Sequence, residues 1–246
     1  MTSSIEFQNF FRSLQLLSLL VDIGISHFIL CPGSRSAPLA IAAGELFRRG
    51  KIKLINSLDE RSAGFHALGI STASANNVVV ITTSGTAVAN LLPSAVEADR
   101  SCINILYITA DRPLRLKDCG ANQTVNQEEF LLSACNLFLN TNLNGLHQTS
   151  YSEIKNLISL ISKENLIKPG PIQLNIPFEK PLLISNKDRK EVLEIFDKEC
   201  LNKKIGFSSN KIKNKSCKAL DEIIKQISLD RTGLIIVGPY RGSTND

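Results

Sequence analysis

Four clusters of polar residues follow four apolar runs of the sequence, and their residue types suit particular kinds of chemistry. The clusters are CPGSRS, DERS, TTSGTA and TADRP, which begin at residues 31, 59, 82 and 109. The arginines of the first and fourth clusters can hold a carboxylate or phosphate by paired hydrogen bonds. The carboxylates of the second cluster can accept or give a proton. Together the clusters predict an anion-binding site with an acid–base group near it.

The arginines and their polar neighbours form two candidate groups. Ser34 and Arg35 lie where a strand passes into a helix, and the free backbone N–H groups of a helix start favour an anion. Arg112, Asn122 and Gln123 share the loop of residues 111–127, where an arginine and two amides could orient a carboxylate. Two alternatives remain open, namely a capped helix with an exposed arginine in the first group and an ordinary polar loop in the second.

Glu60 is the candidate acid–base residue, because it begins a helix that is rich in small side chains. The small residues are Ala63, Gly64, Ala67, Gly69 and Ser71. A helix with so little bulk can pack closely, so we expect Glu60 to be buried, desolvated and suited to proton transfer. A surface turn formed by Asp59 and Glu60 is the alternative. Ser84 has neither a P-loop nor a GxSxG motif around it, and Gly85 permits a close approach of backbone to ligand.

The elements that must position these residues alternate along the chain. Hydrophobic periodicity predicts helices at 7–21, 38–49, 61–74, 87–98, 128–135 and 151–162, and strands at 27–33, 51–58, 78–83, 103–110, 137–140 and 171–177. The strands are apolar on both faces, which predicts a three-layer α/β/α fold around a mostly parallel sheet. In such sheets a ligand binds at the carboxyl ends of the strands, where all four clusters fall.

The pattern changes after residue 182, which divides the chain. We predict a first domain at 1–182, a charged interdomain linker at 183–218 with a short helical pattern at 192–196, and a truncated start of a second α/β domain at 219–246. The net charge of +5 comes mostly from the last 66 residues. That lysine-rich stretch has one aromatic residue, Phe207, and no nucleic-acid-reading motif, so we expect a solvated linker and no nucleic-acid partner.

Compartment and metal content follow from composition. No apolar run approaches the roughly 20 residues that span a bilayer, and the amino terminus lacks the basic start of a signal peptide. The six cysteines have no CxxC or Cys/His metal spacing, so we expect reduced thiols and no metal ligands in this chain. The sequence predicts a cytoplasmic protein without a membrane span.

Five motifs in this order resemble one enzyme family. CPGSRSAPL, DERSAGF, TSGTAVANLLP, TADRP and GANQT are similar to the N-terminal, thiamine pyrimidine-binding domain of 2-succinyl-5-enolpyruvyl-6-hydroxy-3-cyclohexene-1-carboxylate synthase. The resemblance covers roughly residues 5–180. It implies a transferase of menaquinone or phylloquinone biosynthesis that joins 2-oxoglutarate to isochorismate with loss of CO₂. It also implies thiamine diphosphate with Mg²⁺ or Mn²⁺ as cofactors, and a homo-oligomer, either a dimer or a tetramer.

The resemblance also implies roles for individual residues. Glu60 matches the glutamate that hydrogen-bonds the aminopyrimidine nitrogen of thiamine, so it is both the catalytic and the cofactor-binding residue. The family positions that bind substrate carboxylates and hydroxyls match Ser34, Arg35, Arg112, Asn122 and Gln123.

One departure from the family limits what this chain is expected to do. The family's third domain holds the diphosphate and the metal with a motif that opens with Gly-Asp, and the sequence contains no Gly-Asp pair. We therefore expect the 246-residue chain to be inactive alone. Two other functions remain open: another thiamine diphosphate enzyme of the acetolactate synthase or decarboxylase type, and a non-enzymatic remnant.

Overall fold

The chain alternates strands and helices, as the sequence predicted. A computed structural model describes residues 4–74 and 76–202, the last three of them by their backbone alone. The strands are β1 (His27–Leu30), β2 (Lys53–Asn56), β3 (Val78–Thr82), β4 (Ile105–Asp111), β5 (Leu137–Asn140) and β6 (Pro171–Pro177). The α-helices are α1 (Ile5–Asp22), α2 (Ala37–Arg48), α3 (Glu60–Ser74), α4 (Thr86–Ala89), α5 (Leu92–Arg100), α6 (Tyr151–Ile167) and α7 (Asn186–Asn202). Short 3₁₀ turns lie at Leu114–Leu116, Gln127–Glu129 and Leu146–Gln148.

The strands form one sheet in the order β2-β1-β3-β4-β6-β5, and each neighbouring pair is parallel. Helix α1 packs with α2, α6 and α7 in one layer, and α3 packs with α5 in the other. Strands β3, β4 and β6 are buried along their whole length. The predicted three-layer α/β/α fold with a parallel sheet is therefore confirmed, and the strands are apolar on both faces because helices cover both.

Three local predictions are wrong. Strand β2, expected to be buried, is a half-exposed edge strand because only β1 pairs with it. The helix expected at 87–98 is divided into α4 and α5, because Pro93 lies in the first turn of α5 and cannot continue a helix from α4. The helix expected at 128–135 is a 3₁₀ turn followed by further turns with mostly i→i+3 hydrogen bonds, a geometry used in short pieces.

Helix α7 lies inside the segment predicted to be a linker. It runs well beyond the short helical pattern at 192–196 and buries Val192 and Phe196. Arg49 binds Asp197 through both carboxylate oxygens, and Arg189 reaches the buried Glu45 at 3.3 Å. Residues 186–202 are therefore packed against the first domain, whereas the rest of the predicted linker and the predicted second domain lie largely outside the described residues.

Glu45 anchors α7 to α2 through a cluster of arginines. Its carboxylate is almost fully buried and accepts hydrogen bonds from Arg48, the last residue of α2, and from Arg49, which follows it. Burial alone would raise the pKa of Glu45, but the hydrogen bonds from the two arginines bring it below its usual value. The carboxylate therefore remains charged and available to Arg189 of α7.

Small residues let α3 approach α5 closely, as the sequence predicted. Ala63, Gly64, Ala67 and Ser71 of α3 are buried, whereas Gly69 is exposed. A Cβ atom built on Gly64 would lie 2.0 Å from the Ser94 hydroxyl oxygen, a separation that real atoms do not reach. Gly64 therefore sets how closely α3 packs against α5.

We expect Gly64→Ala to destabilise the chain by about 1–3 kcal/mol, because the added methyl group overpacks the contact with Ser94. Ser94 cannot easily move aside, since its hydroxyl contacts Tyr107 at 3.0 Å and donates to the Leu91 carbonyl. Urea unfolding followed by circular dichroism measures the change.

Gly69→Ala is the matched control on the same helix. No atom lies within 4 Å of a Cβ built on Gly69, so the substitution should stabilise the helix by about 0.5–1 kcal/mol. Equal changes in the free energy of unfolding for the two variants would contradict the close contact.

Candidate functional site

The loops that follow β1 and β3 touch at the carboxyl edge of the sheet. A Cβ atom built on Gly33 would lie 2.4 Å from Cβ of Thr83, so the Pro-Gly turn after β1 needs a glycine there. Strand β4 pairs with β3 on its other side, which brings the loop after β4 to the same edge. Three of the four sequence clusters therefore meet where the sequence predicted a ligand site.

Arg35 is buried at the carboxyl edge of the sheet and does not project into solvent. It is 6% exposed and donates a hydrogen bond from Nη1 to the Phe178 carbonyl at 2.6 Å. Burial and the nearby positive charge of Arg112 lower the pKa of Arg35, while Glu179 and Asp111 oppose that change. The alternative of an exposed arginine on a capped helix is therefore wrong for Arg35, although Ser34 beside it is exposed.

Arg112 joins the loop after β4 to the loop after β3. Its Nη1 donates to the Ser84 hydroxyl and to the Gln123 carbonyl, the latter at 2.9 Å. The guanidinium is half-buried, and burial lowers its pKa while Asp111 opposes the change. Since both of these hydrogen bonds use Nη1, the donors on Nη2 and Nε can face a ligand.

Asn122 and Gln123 lie on the exposed loop, and Gln123 contacts the β3–α4 turn. Gln123 has a positive φ of 58° and donates from Nε2 to the Ser84 carbonyl at 2.7 Å. A Cβ atom on Gly85 would lie 2.8 Å from Cγ of Gln123. Gly85 thus permits a close approach, but the group that approaches it is the Gln123 side chain.

The adjacent acids at the start of α3 have different surroundings. Asp59 is exposed and accepts the Ser62 N–H at 2.6 Å, a helix cap that lowers the pKa of Asp59. Glu60 is half-buried, and Asn90 donates to its Oε2 at 3.4 Å. The surface-turn interpretation therefore fits Asp59, whereas Glu60 reaches towards the junction of α4 and α5.

The expected burial of Glu60 is only partial in this chain, since its side chain remains half-exposed at the start of α3. Cys31, at the end of β1, is fully buried near Glu60. Burial, with the negative charges of Glu60 and Asp59, raises the pKa of the Cys31 thiol to about 12. Cys31 therefore remains a neutral thiol and is not a nucleophile.

Sequence reasoning missed two buried amide side chains that adjoin the loop of residues 111–127. Gln127 and Asn175 are both buried and hydrogen-bonded to each other. Asn175 and Gln173 are the two polar residues of the buried strand PIQLNIP, and polar side chains in a buried strand could have indicated a special role. Asn90 was also missed, because only the break between α4 and α5 turns it towards Glu60.

A family model of thiamine pyrophosphate enzymes, described as the N-terminal TPP binding domain, matches residues 13–130. A 2-succinyl-5-enolpyruvyl-6-hydroxy-3-cyclohexene-1-carboxylate synthase from Prochlorococcus marinus (strain MIT 9215) is 63% identical over 246 residues, which are all of this chain and 42% of that protein. The chain belongs to this synthase family.

More distant members of the synthase family match as well. A synthase of the same name from Prochlorococcus marinus (strain NATL2A) is 48% identical over 98% of this chain and 40% of its own length. Another from Synechococcus sp. (strain WH7803) is 55% identical over 72% of this chain and 31% of its own length. This chain therefore spans less than half the length of the synthases that it matches.

The part of the chain that the structure describes lacks two features. Residues 4–74 and 76–202 contain no group of three His, Cys, Asp or Glu side chains arranged to hold a metal ion. Within the same ranges, no helix is both long enough and apolar enough to cross a membrane.

Proposed function

We propose that this chain supplies the pyrimidine-binding and substrate-binding side of a thiamine diphosphate-dependent synthase that joins 2-oxoglutarate to isochorismate with release of CO₂. The product would be 2-succinyl-5-enolpyruvyl-6-hydroxy-3-cyclohexene-1-carboxylate, for menaquinone or phylloquinone biosynthesis in the cytoplasm. The observation that carries the proposal is Glu60, a half-exposed carboxylate at the ligand edge of a domain that matches the thiamine pyrophosphate enzymes.

Glu60 fits the aminopyrimidine ring of thiamine. The carboxylate stands at the start of α3, and among the described residues its hydrogen-bond partner is Asn90 at a long 3.4 Å, so it can take a stronger partner. We assign Glu60 to hold a proton at the ring nitrogen. When bound, thiamine diphosphate supplies the carbon nucleophile, and the protein orients and polarises it.

The arginines fit the substrates, which carry several carboxylates. Arg112 has guanidinium donors left for a carboxylate, and the buried Arg35 adds positive charge near it. We assign carboxylate and hydroxyl contacts to Ser34, Arg35, Arg112, Asn122 and Gln123. Gln123 and Arg112 are tied to Ser84, which holds these groups in place before a ligand arrives.

The divalent metal, Mg²⁺ or Mn²⁺, is not assigned to this chain. Its described residues offer no cluster of metal-ligating side chains, and the sequence has no Gly-Asp pair. We propose that residues outside the region shared with this chain hold the diphosphate and the metal.

The surface around Glu60 suits coverage by another protein surface. Leu58, two residues before Glu60, is 90% exposed, and Phe65 on α3 is 45% exposed. Large apolar side chains beside a functional carboxylate are typical of surfaces that bind protein. We propose that a homo-oligomer, a dimer or a tetramer, completes the burial of Glu60.

A chimaera tests the proposed function. In it this chain replaces the matching 246 residues of the synthase from Prochlorococcus marinus (strain MIT 9215). With thiamine diphosphate, Mg²⁺ and isochorismate, the chimaera should form the succinyl product from 2-oxoglutarate and nothing from pyruvate. A preference for pyruvate would favour the acetolactate synthase type, and a folded chimaera without activity or cofactor binding would favour the non-enzymatic alternative.

The 246-residue chain alone should give no product under the same conditions, because we assign the metal and diphosphate ligands to residues outside the shared region. Mass spectrometry of the reaction mixture measures product, and the chimaera is the positive control. Product from the purified chain without any other polypeptide would refute the assignment of those ligands elsewhere.

A further inference from the structure

Gln127 connects the turn after β3 to the sheet through its side-chain amide. Its Oε1 accepts the Gly85 N–H at 2.8 Å, and its Nε2 donates to the Ala110 carbonyl at 3.1 Å and to Asn175 Oδ1 at 2.9 Å. The residue is fully buried. One amide therefore ties together the β3–α4 turn, the end of β4 and strand β6.

Asn175 uses all the hydrogen-bonding capacity of its side chain. Its Oδ1 accepts from Gln127 and from the Thr109 hydroxyl, and its Nδ2 donates to Asp111 Oδ2 and Asn140 Oδ1. These distances lie between 2.9 and 3.0 Å. These partners lie on β4, on β5 and in the turn at Gln127. The four hydrogen bonds therefore hold β4, β5 and β6 in one arrangement.

Asp111 links the buried amides to Arg112. Its Oδ1 accepts the Arg112 N–H at 2.7 Å, and its Oδ2 accepts from Asn175 and from Lys117 Nζ at 3.0 Å. Lys117 also binds Glu128, which follows Gln127 in the chain. Asn175 thus holds the Asp111 carboxylate that binds the backbone N–H of Arg112, while the Arg112 guanidinium contacts Ser84.

We propose that Gln127 and Asn175 are positioning residues, which set the Ser84–Gly85 turn and Arg112 in the geometry that receives the substrate carboxylate. Neither amide is assigned to the substrate; Gln127 acts through the Gly85 N–H, and Asn175 acts through Asp111. The inference rests on the proposed function for the identity of the anion. The geometry of the turn itself is testable without any ligand.

Hydrogen exchange of the Gly85 amide in the 246-residue chain tests the positioning role directly. Gln127→Met keeps the length of the side chain but leaves the Gly85 N–H without its partner. We expect the Gly85 amide to exchange at least about tenfold faster, since a buried donor that loses its hydrogen bond costs roughly the free energy of a factor of ten or more. The Val80 amide, inside β3, reports global opening and should change far less.

Gln173→Met is the matched control. Gln173 is also a fully buried amide of the same sheet, but its Nε2 donates to the Thr109 hydroxyl, and within the described residues no hydrogen bond joins it to Gly85 or Asp111. It should leave the ratio of Gly85 to Val80 exchange unchanged. Equal ratios for Gln127→Met and Gln173→Met would overturn the proposal.

Kinetics of the chimaera separate positioning from general destabilisation. Gln127→Met and Asn175→Leu should each raise the KM of an anionic substrate about tenfold while kcat changes less, and Gln173→Met should leave KM unchanged. If Gln127→Met does not fold, Gln127→Asn, whose shortened amide cannot reach Gly85, carries the same expectations. A wholly inactive parent chimaera would defeat the proposed function, whereas the exchange ratios would still decide the positioning role.

Discussion

Replacing Glu60 with glutamine in the chimaera should lower kcat by about 10²- to 10⁴-fold, the usual contribution of a general acid–base group. Glutamine keeps the size of the side chain and can still accept the hydrogen bond from Asn90. It cannot hold or release a proton at the thiamine ring nitrogen. The effect should therefore fall on kcat, while the affinity for the anionic substrates stays nearly constant.

Asp59→Asn is the matched control for the loss of one negative charge. Asp59 precedes Glu60 but serves as the cap of α3, and asparagine caps helices about as well as aspartate. The kcat of the Asp59→Asn variant should stay within about twofold of the parent value, since the substitution moves no group that we assign to the reaction. Similar losses of kcat in both variants would mean that the charge of the helix start matters and that Glu60 has no special role.

The central part of the fold followed from the sequence because burial there does not depend on which neighbour covers a strand. The run VVVITT is β-branched throughout, and its strand is buried on both faces. The apolar pair Leu54 and Ile55 of β2 also suggests a buried strand, but β2 lies at the edge, and strand order is set by contacts between distant segments. Periodicity alone could not distinguish these two positions.

The limits of the helices depended on single residues and on tertiary contacts. Pro93 separates α4 from α5, a consequence of its ring that hydrophobic periodicity does not reveal. Helix α7 is highly charged, yet it is held by the buried Val192 and Phe196 and, beside them, by the ion pairs of Arg189 with Glu45 and of Asp197 with Arg49. A charged composition therefore concealed a helix that packs on the first domain.

The residue types of the candidate site were predictable, but their partners were not. Arginines and amides at strand ends indicated an anion site, and the structure brings Arg112 and Gln123 together on Ser84. Whether an amide faces a ligand or supports the loop depends on tertiary contacts between segments that are distant in sequence. Gln127 and Asn175 are the same two residue types as Gln123 and Asn122, but the first pair is buried and the second is exposed.

Replacing Arg112 with glutamine in the chimaera should raise the KM of one anionic substrate by about 10- to 100-fold, which corresponds to roughly 1.5–3 kcal/mol for a charge-assisted hydrogen bond. Arg112 is a better test than Arg35, because Arg35 is buried and its replacement would leave the Phe178 carbonyl without its donor. Arg112→Lys keeps the charge but loses the planar fork, so it should recover only part of the affinity.

Arg115→Gln is the matched control, an arginine of the same loop that pairs with Glu179 at the surface. The Arg115 side chain is exposed, so its ion pair contributes little to stability, and Arg115 is not assigned to the substrate. Its KM values should equal those of the parent. If Arg112→Gln and Arg115→Gln behaved alike, and Arg35 could also be lost without effect, the anion site would be elsewhere. The acetolactate synthase type, which needs no such cluster, would then account better for Glu60.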